Sequence, residues 1–270
     1  MRLALAQLTP TAGALDRNTE RAREAVATAA DRGADLVVLP ELWDVGYFAF
    51  DSYERAAEGL DGDRLAAIRE TAADEAIAVV AGTVVEDLAA SAATGEETPA
   101  DEGLANTAVV FDADGERRLV YRKHHLFGYD SAETRLLEPG ERLPTTTLCG
   151  FELAVTTCYD LRFPEQFRAL ADRGATLVAV PSAWPYPRVE HWRTLPEARA
   201  VENLWYVAAA NGVGAVGDER LVGRSTVYDP WGTTVVGAGT ETGVVTAEVD
   251  PERVETVREE FGALGDRRPY

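Results

Sequence analysis

The chain predicts an α/β layered protein whose central strands are buried on both faces. Three observations carry this expectation. Short apolar runs alternate with helical stretches, and one strand–helix–strand unit occurs twice. A length of 270 residues with 46% hydrophobic content is enough for one sizeable core.

The first unit reads as a strand over Leu3–Leu8, a helix over Asp16–Arg32, and a short strand over Asp35–Leu39 closed by Pro40. The second reads as a strand over Glu152–Thr157, a helix over Pro164–Arg173, and a strand over Thr176–Val180 closed by Pro181. The two units also share letters: RGADLVVLPEL from Arg32 matches RGATLVAVPSA from Arg173, which predicts two halves of similar topology. Between them lie a helix over Asp63–Glu75, a strand over Ile77–Val85, and a strand pair, Thr107–Phe111 and Arg117–Tyr121, turned by Asp112-Ala113-Asp114-Gly115. The acidic, small-residue stretch Asp87–Glu102 is expected to be an exposed, mobile loop, because it has little apolar surface to offset its ordering entropy. After the second unit come a helix over Val189–Leu204, a strand over Trp205–Ala210, and a strand over Ser225–Tyr228 that ends in the turn Asp229-Pro230-Trp231-Gly232. Another strand and a final helix follow. Two sheets facing one another would make a sandwich with helices outside. No linker divides the chain, so one domain over residues 1–270 is expected.

Composition excludes some partners. A formal net charge of −20 and the lack of any basic cluster argue against nucleic acid and against anionic membrane surfaces, both of which require a cationic patch. Lys123 is the only lysine, so arginine supplies every other cationic side chain. Acidic excess without lysine resembles proteins of high-salt cytoplasm, where salt screens self-repulsion; a GC-rich coding bias is the plainer alternative. No apolar run approaches the roughly 20 residues that cross a bilayer, and Arg2–Gln7 is too short for a signal peptide. Two cysteines, Cys149 and Cys158, make no disulfide framework, and a cytoplasmic location is expected.

Cys158 stands where an apolar strand stops, before a polar turn and a helix whose N-terminus favours an anion, so a thiolate could be stabilised there. Alone, such a cysteine would read as a small buried hydrophobe. Glu41 takes the matching place in the first half: Pro40 ends the strand, and Leu39, Leu42 and Trp43 give the carboxylate apolar company that raises its pKa toward the range useful for proton transfer. Lys123 closes the strand Arg117–Tyr121, and a chain that otherwise uses arginine gives this lysine a specific purpose. His124 and His125 are adjacent and would face opposite sides of a strand; with only His191 besides, no metal or other cofactor is expected.

PELW around Glu41, YRKHHLF around Lys123 and CYDLRFPE around Cys158 resemble the three catalytic motifs of the nitrilase superfamily, the carbon-nitrogen hydrolases. The similarity extends through NTA (106–108), EPG (138–140), HW at His191 and Trp192, ARAVEN (198–203) and GRSTVYDPWG (223–232), nearly the whole chain. It implies an α-β-β-α sandwich with an internal pseudo-twofold, usually dimeric, and a Glu41–Lys123–Cys158 triad. It also implies a second glutamate after the lysine motif, at Glu133 rather than Glu138. CYDLRFPE is more similar to the amidase branch containing omega-amidase and deaminated-glutathione amidase than to true nitrilases, which usually carry tryptophan after the cysteine. That favours a small amide as the partner molecule, with Tyr159, Arg162 and Trp184 as substrate-binding residues and Arg162 or Arg188 available to pair with a substrate carboxylate.

In side-chain terms, a thiol with a pKa of about 8.5 needs a base or a cation to attack an amide carbon. Lys123 and the Tyr159 backbone N–H can stabilise the oxyanion, and Glu41 can move the proton to the leaving nitrogen and later activate water. The alternatives are a nitrile or N-carbamoyl hydrolase of the same superfamily, and a non-catalytic binding protein on this fold, which would be expected to lack a triad member. A redox pair would need Cys149 close to Cys158, and the Cys-x-x-Cys spacing of disulfide exchangers is absent.

Overall fold

The computed structural model describes every residue except Asp130, Pro269 and Tyr270. Among the described residues, fourteen strands form two six-stranded sheets and a small hairpin. In chain order they are β1 (Arg2–Gln7), β2 (Leu36–Val38), β3 (Ala78–Asp87), β4 (Leu104–Phe111), β5 (Arg117–Arg122), β6 (Thr145–Leu148) and β7 (Phe151–Val155). Then come β8 (Leu177–Ser182), β9 (Tyr206–Asn211), β10 (Val213–Val216), β11 (Glu219–Val222), β12 (Thr226–Tyr228), β13 (Thr234–Gly237) and β14 (Gly243–Glu248).

The first sheet runs β14-β1-β2-β3-β4-β5 and the second β13-β12-β9-β8-β7-β6. In each, three consecutive strands pair in parallel, two antiparallel strands extend one side, and a single antiparallel strand closes the other. The internal match in the sequence is therefore a topological repeat, with β1, β2 and β3 equivalent to β7, β8 and β9.

Strand periodicity places the layers. In β1, Leu3 and Leu5 point between the sheets, where they meet Leu153, Val155 and Ala179 of the second sheet, while Ala4 and Ala6 point outward. Those outward residues are covered by the helices Leu15–Asp31 and Asp63–Asp74. Likewise, Ala154 and Val178 of the second sheet lie under the helices Pro164–Asp172 and Val189–Asn203. Each fully buried Leu or Val contributes roughly 1.5–3 kcal/mol, and central strands need it on both faces. The result is an α-β-β-α sandwich. Among the described residues, no helix is long and apolar enough to cross a membrane.

Several expectations required correction. Asp87–Glu102 is not a structureless loop: the Asp87 carboxylate caps Ala90 N (3.0 Å) and starts a helix, Leu88–Ala93, whose Leu88 and Ser91 are buried. Further along this stretch, Glu96 and Glu97 pair with Arg117 and Arg142. Pro181 does not close its strand but lies within β8, opposite Ala210. It is tolerated because β7 has already ended on the other side, so no ladder bond is lost there. Strand β6 and the hairpin β10–β11 carried no sequence signal strong enough to be read. Cys149 sits in the β6–β7 turn and Cys158 beyond the other end of β7. Five strand residues at about 3.3 Å each separate them, which rules out a redox pair.

Candidate active site

Glu41 follows β2, Lys123 follows β5 and Cys158 follows β7, and all three lie at one end of the sandwich, beyond the carboxyl ends of the parallel strands. The sequence reading treated Glu41 and Cys158 as equivalent positions in the two halves. Topology shows otherwise: the repeat counterpart of Glu41 is Ser182, whereas Cys158 ends the counterpart of β1. The repeat is nonetheless used, because Glu41 N donates to Ser182 O (3.4 Å) and Ala183 N donates to Glu41 Oε2 (2.9 Å). These two bonds tie the two sheets together across the site.

Local backbone positions each group. Leu42 and Cys158 have φ of 44° and 47°, left-handed values that cost a side-chain-bearing residue roughly 1–2 kcal/mol. At Leu42 the turn is held by its N–H donating to Thr83 Oγ1 (2.9 Å). Gly82 permits this approach, since a Cβ there would lie 2.0 Å from Pro40 O. At Cys158 the turn is held by Asp160, fully buried, which accepts from Thr157 N (2.8 Å), His125 N (2.9 Å) and Tyr121 Oη. Asp160 thereby joins the nucleophile turn to the segment that follows Lys123. Gly140 performs the same service behind Lys123: its N–H donates to Lys123 O (2.9 Å), and a Cβ would lie 2.1 Å from Arg122 O.

The charged groups form one buried cluster. Lys123 Nζ lies 2.8 Å from Glu41 Oε1, and 2.8 and 3.1 Å from the two oxygens of Glu133. Glu133 also accepts from Tyr47 Oη (2.9 Å) and Phe127 N (2.7 Å). Burial disfavours the Lys123 ammonium, but Glu133, Glu41 and the Cys158 sulfur outweigh it and hold its pKa well above the usual lysine range. Burial raises the Glu41 pKa, opposed by Lys123 and reinforced by Glu133. Burial and the Glu41 carboxylate push the Cys158 thiol well up, against the pull of Lys123 and Ala183 N–H. Burial and the neighbouring carboxylate thus favour the thiol form of Cys158 over the thiolate. The anion-stabilising helix end anticipated from sequence does not overcome desolvation.

A small pocket opens onto Cys158 and Lys123. Tyr159, Arg162 and Trp184 line it as the sequence reading proposed, and so does Arg188. Arg162 lies 5.7 and 5.1 Å from the ring centroids of Tyr159 and Trp184, and Arg188 lies 5.6 Å from that of Phe127. Tyr47, Phe48, Phe127 and Ala183 also line the pocket and were missed. The aromatic run around Tyr47 and Phe48 was their one visible signal. Among the described residues, no group of three His, Cys, Asp or Glu side chains is arranged to hold a metal ion.

Residues 2–259 match the carbon-nitrogen hydrolase family. The chain is 35% identical over 240 residues to 2-oxoglutaramate amidase of Paenarthrobacter nicotinovorans, covering 87% of this chain and 79% of the relative. Its structure resembles Saccharomyces cerevisiae Nit3, a member of branch 10 of the nitrilase superfamily (TM-score 0.85, 29% identity, covering 97% of this chain and 94% of that one). It also resembles the Nesterenkonia sp. AN1 amidase (TM-score 0.81, 32% identity, covering 99% and 94%), in a form that shows covalent addition of the acetamide moiety of fluoroacetamide at the active site cysteine. The chain belongs to the carbon-nitrogen hydrolase family.

Proposed function

We propose that this enzyme hydrolyses the C–N bond of a small amide, with Cys158 as nucleophile, Glu41 as general base and acid, and Lys123 as the stabiliser of the oxyanion. The observation that carries the reading is a thiol and a buried ammonium lining one pocket, with a buried carboxylate of raised pKa behind them, 2.8 Å from that ammonium. In attack, the thiol proton passes to Glu41 while sulfur bonds to the carbonyl carbon. The oxyanion faces Lys123 Nζ and the N–H of Tyr159, which lies in the first turn of a helix where N–H groups lack intrahelical partners. Each well-aimed donor contributes about 3 kcal/mol to the transition state. Glu41 then protonates the leaving nitrogen, ammonia departs, and a thioester remains. Water, deprotonated by Glu41, attacks the thioester carbon; the C–S bond then breaks, Glu41 returns the proton to sulfur, and the carboxylic acid leaves. Glu133 holds Lys123 in place, both of its oxygens already accepting from Lys123 and its neighbours.

Arg162 and Arg188 favour an amide that also carries a carboxylate. Neither forms a salt bridge among the described residues, although the chain is strongly acidic. Arg162 reaches only His191 Nδ1 (3.1 Å) among the described residues' hydrogen bonds, and two guanidinium groups without a carboxylate partner on the lining of a small pocket suit a bidentate anion. The name of the 2-oxoglutaramate-hydrolysing relative agrees with this chemistry. The reading includes a homodimer in the cytoplasm, to be tested by light scattering and by fractionation. An ammonia-release screen over dicarboxylic acid monoamides, carbamoyl amines and nitriles tests the activity itself. Release from monoamides is expected, and turnover confined to nitriles or carbamoyl amines would overturn the assignment.

A further inference from the structure

Asn106, on β4, is fully buried, and its carbonyl accepts the backbone N–H of Lys123 (2.8 Å). Its side chain is placed between two acids. Nδ2 lies 2.9 Å from Glu41 Oε1 and 3.3 Å from Glu133 Oε1, the same two oxygens that Lys123 Nζ approaches at 2.8 Å each. A ring of two carboxylate oxygens and two nitrogen donors results. The cost is visible on the other side of the amide, where Oδ1 has no hydrogen-bond partner among the described residues. A buried acceptor left unmatched costs about 1–3 kcal/mol. Turning the amide over would aim that oxygen at two carboxylates, which is worse, so the cost is bound up with the donation by Nδ2.

The ring makes the two oxygens of Glu41 unequal. Oε1 accepts from both Nζ and Nδ2, which fills its two lone-pair directions, whereas Oε2, among the described residues, accepts only from Ala183 N (2.9 Å) and keeps one open. Glu133 has no such opening: Oε1 takes Nζ and Nδ2, and Oε2 takes Nζ, Tyr47 Oη and Phe127 N. We infer that Asn106 is a positioning residue that, with Lys123, closes Glu41 Oε1 and so makes Glu41 Oε2 the atom that carries the catalytic proton. The inference rests on the acid–base role given to Glu41 above. As the sulfur–carbon bond forms, the thiol proton moves to Oε2 and the carbonyl π pair moves to oxygen. As the C–N bond breaks, the same proton moves from Oε2 to nitrogen.

Glu41 is faced by Lys123, Glu133, Cys158 and the phenols of Tyr47 and Tyr53. With these unchanged, losing the Nδ2 donor removes a hydrogen bond from the ionised carboxylate, which raises its pKa. The test is Asn106→Leu, of similar volume and without the orphan oxygen, with Asn106→Ser as a second variant, both in a Cys149→Ala background. Two profiles are measured on the full chain: kcat and kcat/KM for amide hydrolysis against pH, and the rate of Cys158 alkylation by iodoacetamide against pH. A fall in kcat of at least about tenfold with KM within about threefold is expected, with the acid limb of both profiles moved to higher pH. Folded variants whose profiles stay in place overturn the role, whatever the size of the rate loss, and failure of both variants to fold would make Asn106 structural only. Alkylation needs no amide substrate. A shifted alkylation profile in a protein that hydrolyses no amide would therefore sink the proposed activity and leave Asn106 standing.

Discussion

Strands β1, β2 and β3 of one half and β7, β8 and β9 of the other share order and direction, yet the ends of these equivalent strands carry different chemistry. After β2 comes Pro40-Glu41, a buried carboxylate; the matching Pro181-Ser182 contributes a backbone carbonyl to Glu41 N. After β7 comes Cys158 in a left-handed turn, whereas after β1 the chain continues through Thr9, whose hydroxyl reaches only Thr242 on the surface (2.9 Å). The comparison separates two demands on one repeat. A sandwich needs two similar apolar faces, which duplication of a strand–helix–strand plan supplies. Catalysis needs one nucleophile and one base in contact, and two identical strand ends would supply two of one kind.

The largest expected effect tests this asymmetry at its sharpest pair. Cys158→Ala should lower amide hydrolysis by more than about a thousandfold, while Thr9→Ala, one residue beyond Leu8, the register counterpart of Cys158, should stay within about twofold. Comparable losses in both, measured as steady-state ammonia release by folded protein, would break the comparison.

At the other pair, Glu41→Gln should also cost at least about a hundredfold in kcat, because an amide cannot take the thiol proton. The pH profile of the unmodified enzyme carries the sign. Glu41 must be ionised to act as base and its pKa is raised, so activity falls as pH drops through that raised value. The acid limb of kcat/KM should consequently lie above the ordinary carboxylate range and disappear in Glu41→Gln. A limb at the ordinary position would remove burial as its cause.

Lys123→Arg preserves charge yet should cost about 3 kcal/mol, roughly a hundredfold in rate, because a planar fork cannot replace a compact ammonium held 2.8 Å from two carboxylates. Activity within about threefold of the parent would leave Lys123 with a purely electrostatic part. A smaller effect is expected at the pocket mouth, where Arg162→Gln or Arg188→Gln should raise KM for a carboxylate-bearing amide by about tenfold and leave a neutral amide nearly unaffected. Equal effects on both substrates would deny the arginines a carboxylate. Smallest of all, Cys149→Ala should change turnover by less than about twofold, since the β6–β7 turn is remote from the site.

Much of this was legible before any coordinates. The repeat RGADLVVLPEL and RGATLVAVPSA announced two halves, and periodicity located the main strands and helices within about three residues, because strands buried on both faces show as unbroken apolar runs. Strand β6 and the hairpin β10–β11 were not legible, since short polar or glycine-rich strands at a sheet edge or over a pocket lack that signal. Asp87 was read as part of a loop although aspartate is a common helix cap, because acidity was given more weight than capping.

The sequence by itself singled out the side chains to which the chemistry is assigned in the proposed function. Glu41, Lys123 and Cys158 are unusual in place or in count, and Glu133 follows from the motif they belong to. Only the tertiary structure decided their states. Whether Cys158 rests as thiol or thiolate depends on how deeply it is buried and on the Glu41 carboxylate beside it. Which carboxylate oxygen keeps an open lone pair depends on where Asn106, Lys123, Ala183, Tyr47 and Phe127 donate. Those donors come from distant parts of the chain. Desolvation and hydrogen-bond occupancy are properties of the folded surroundings, and no local run of residues encodes them.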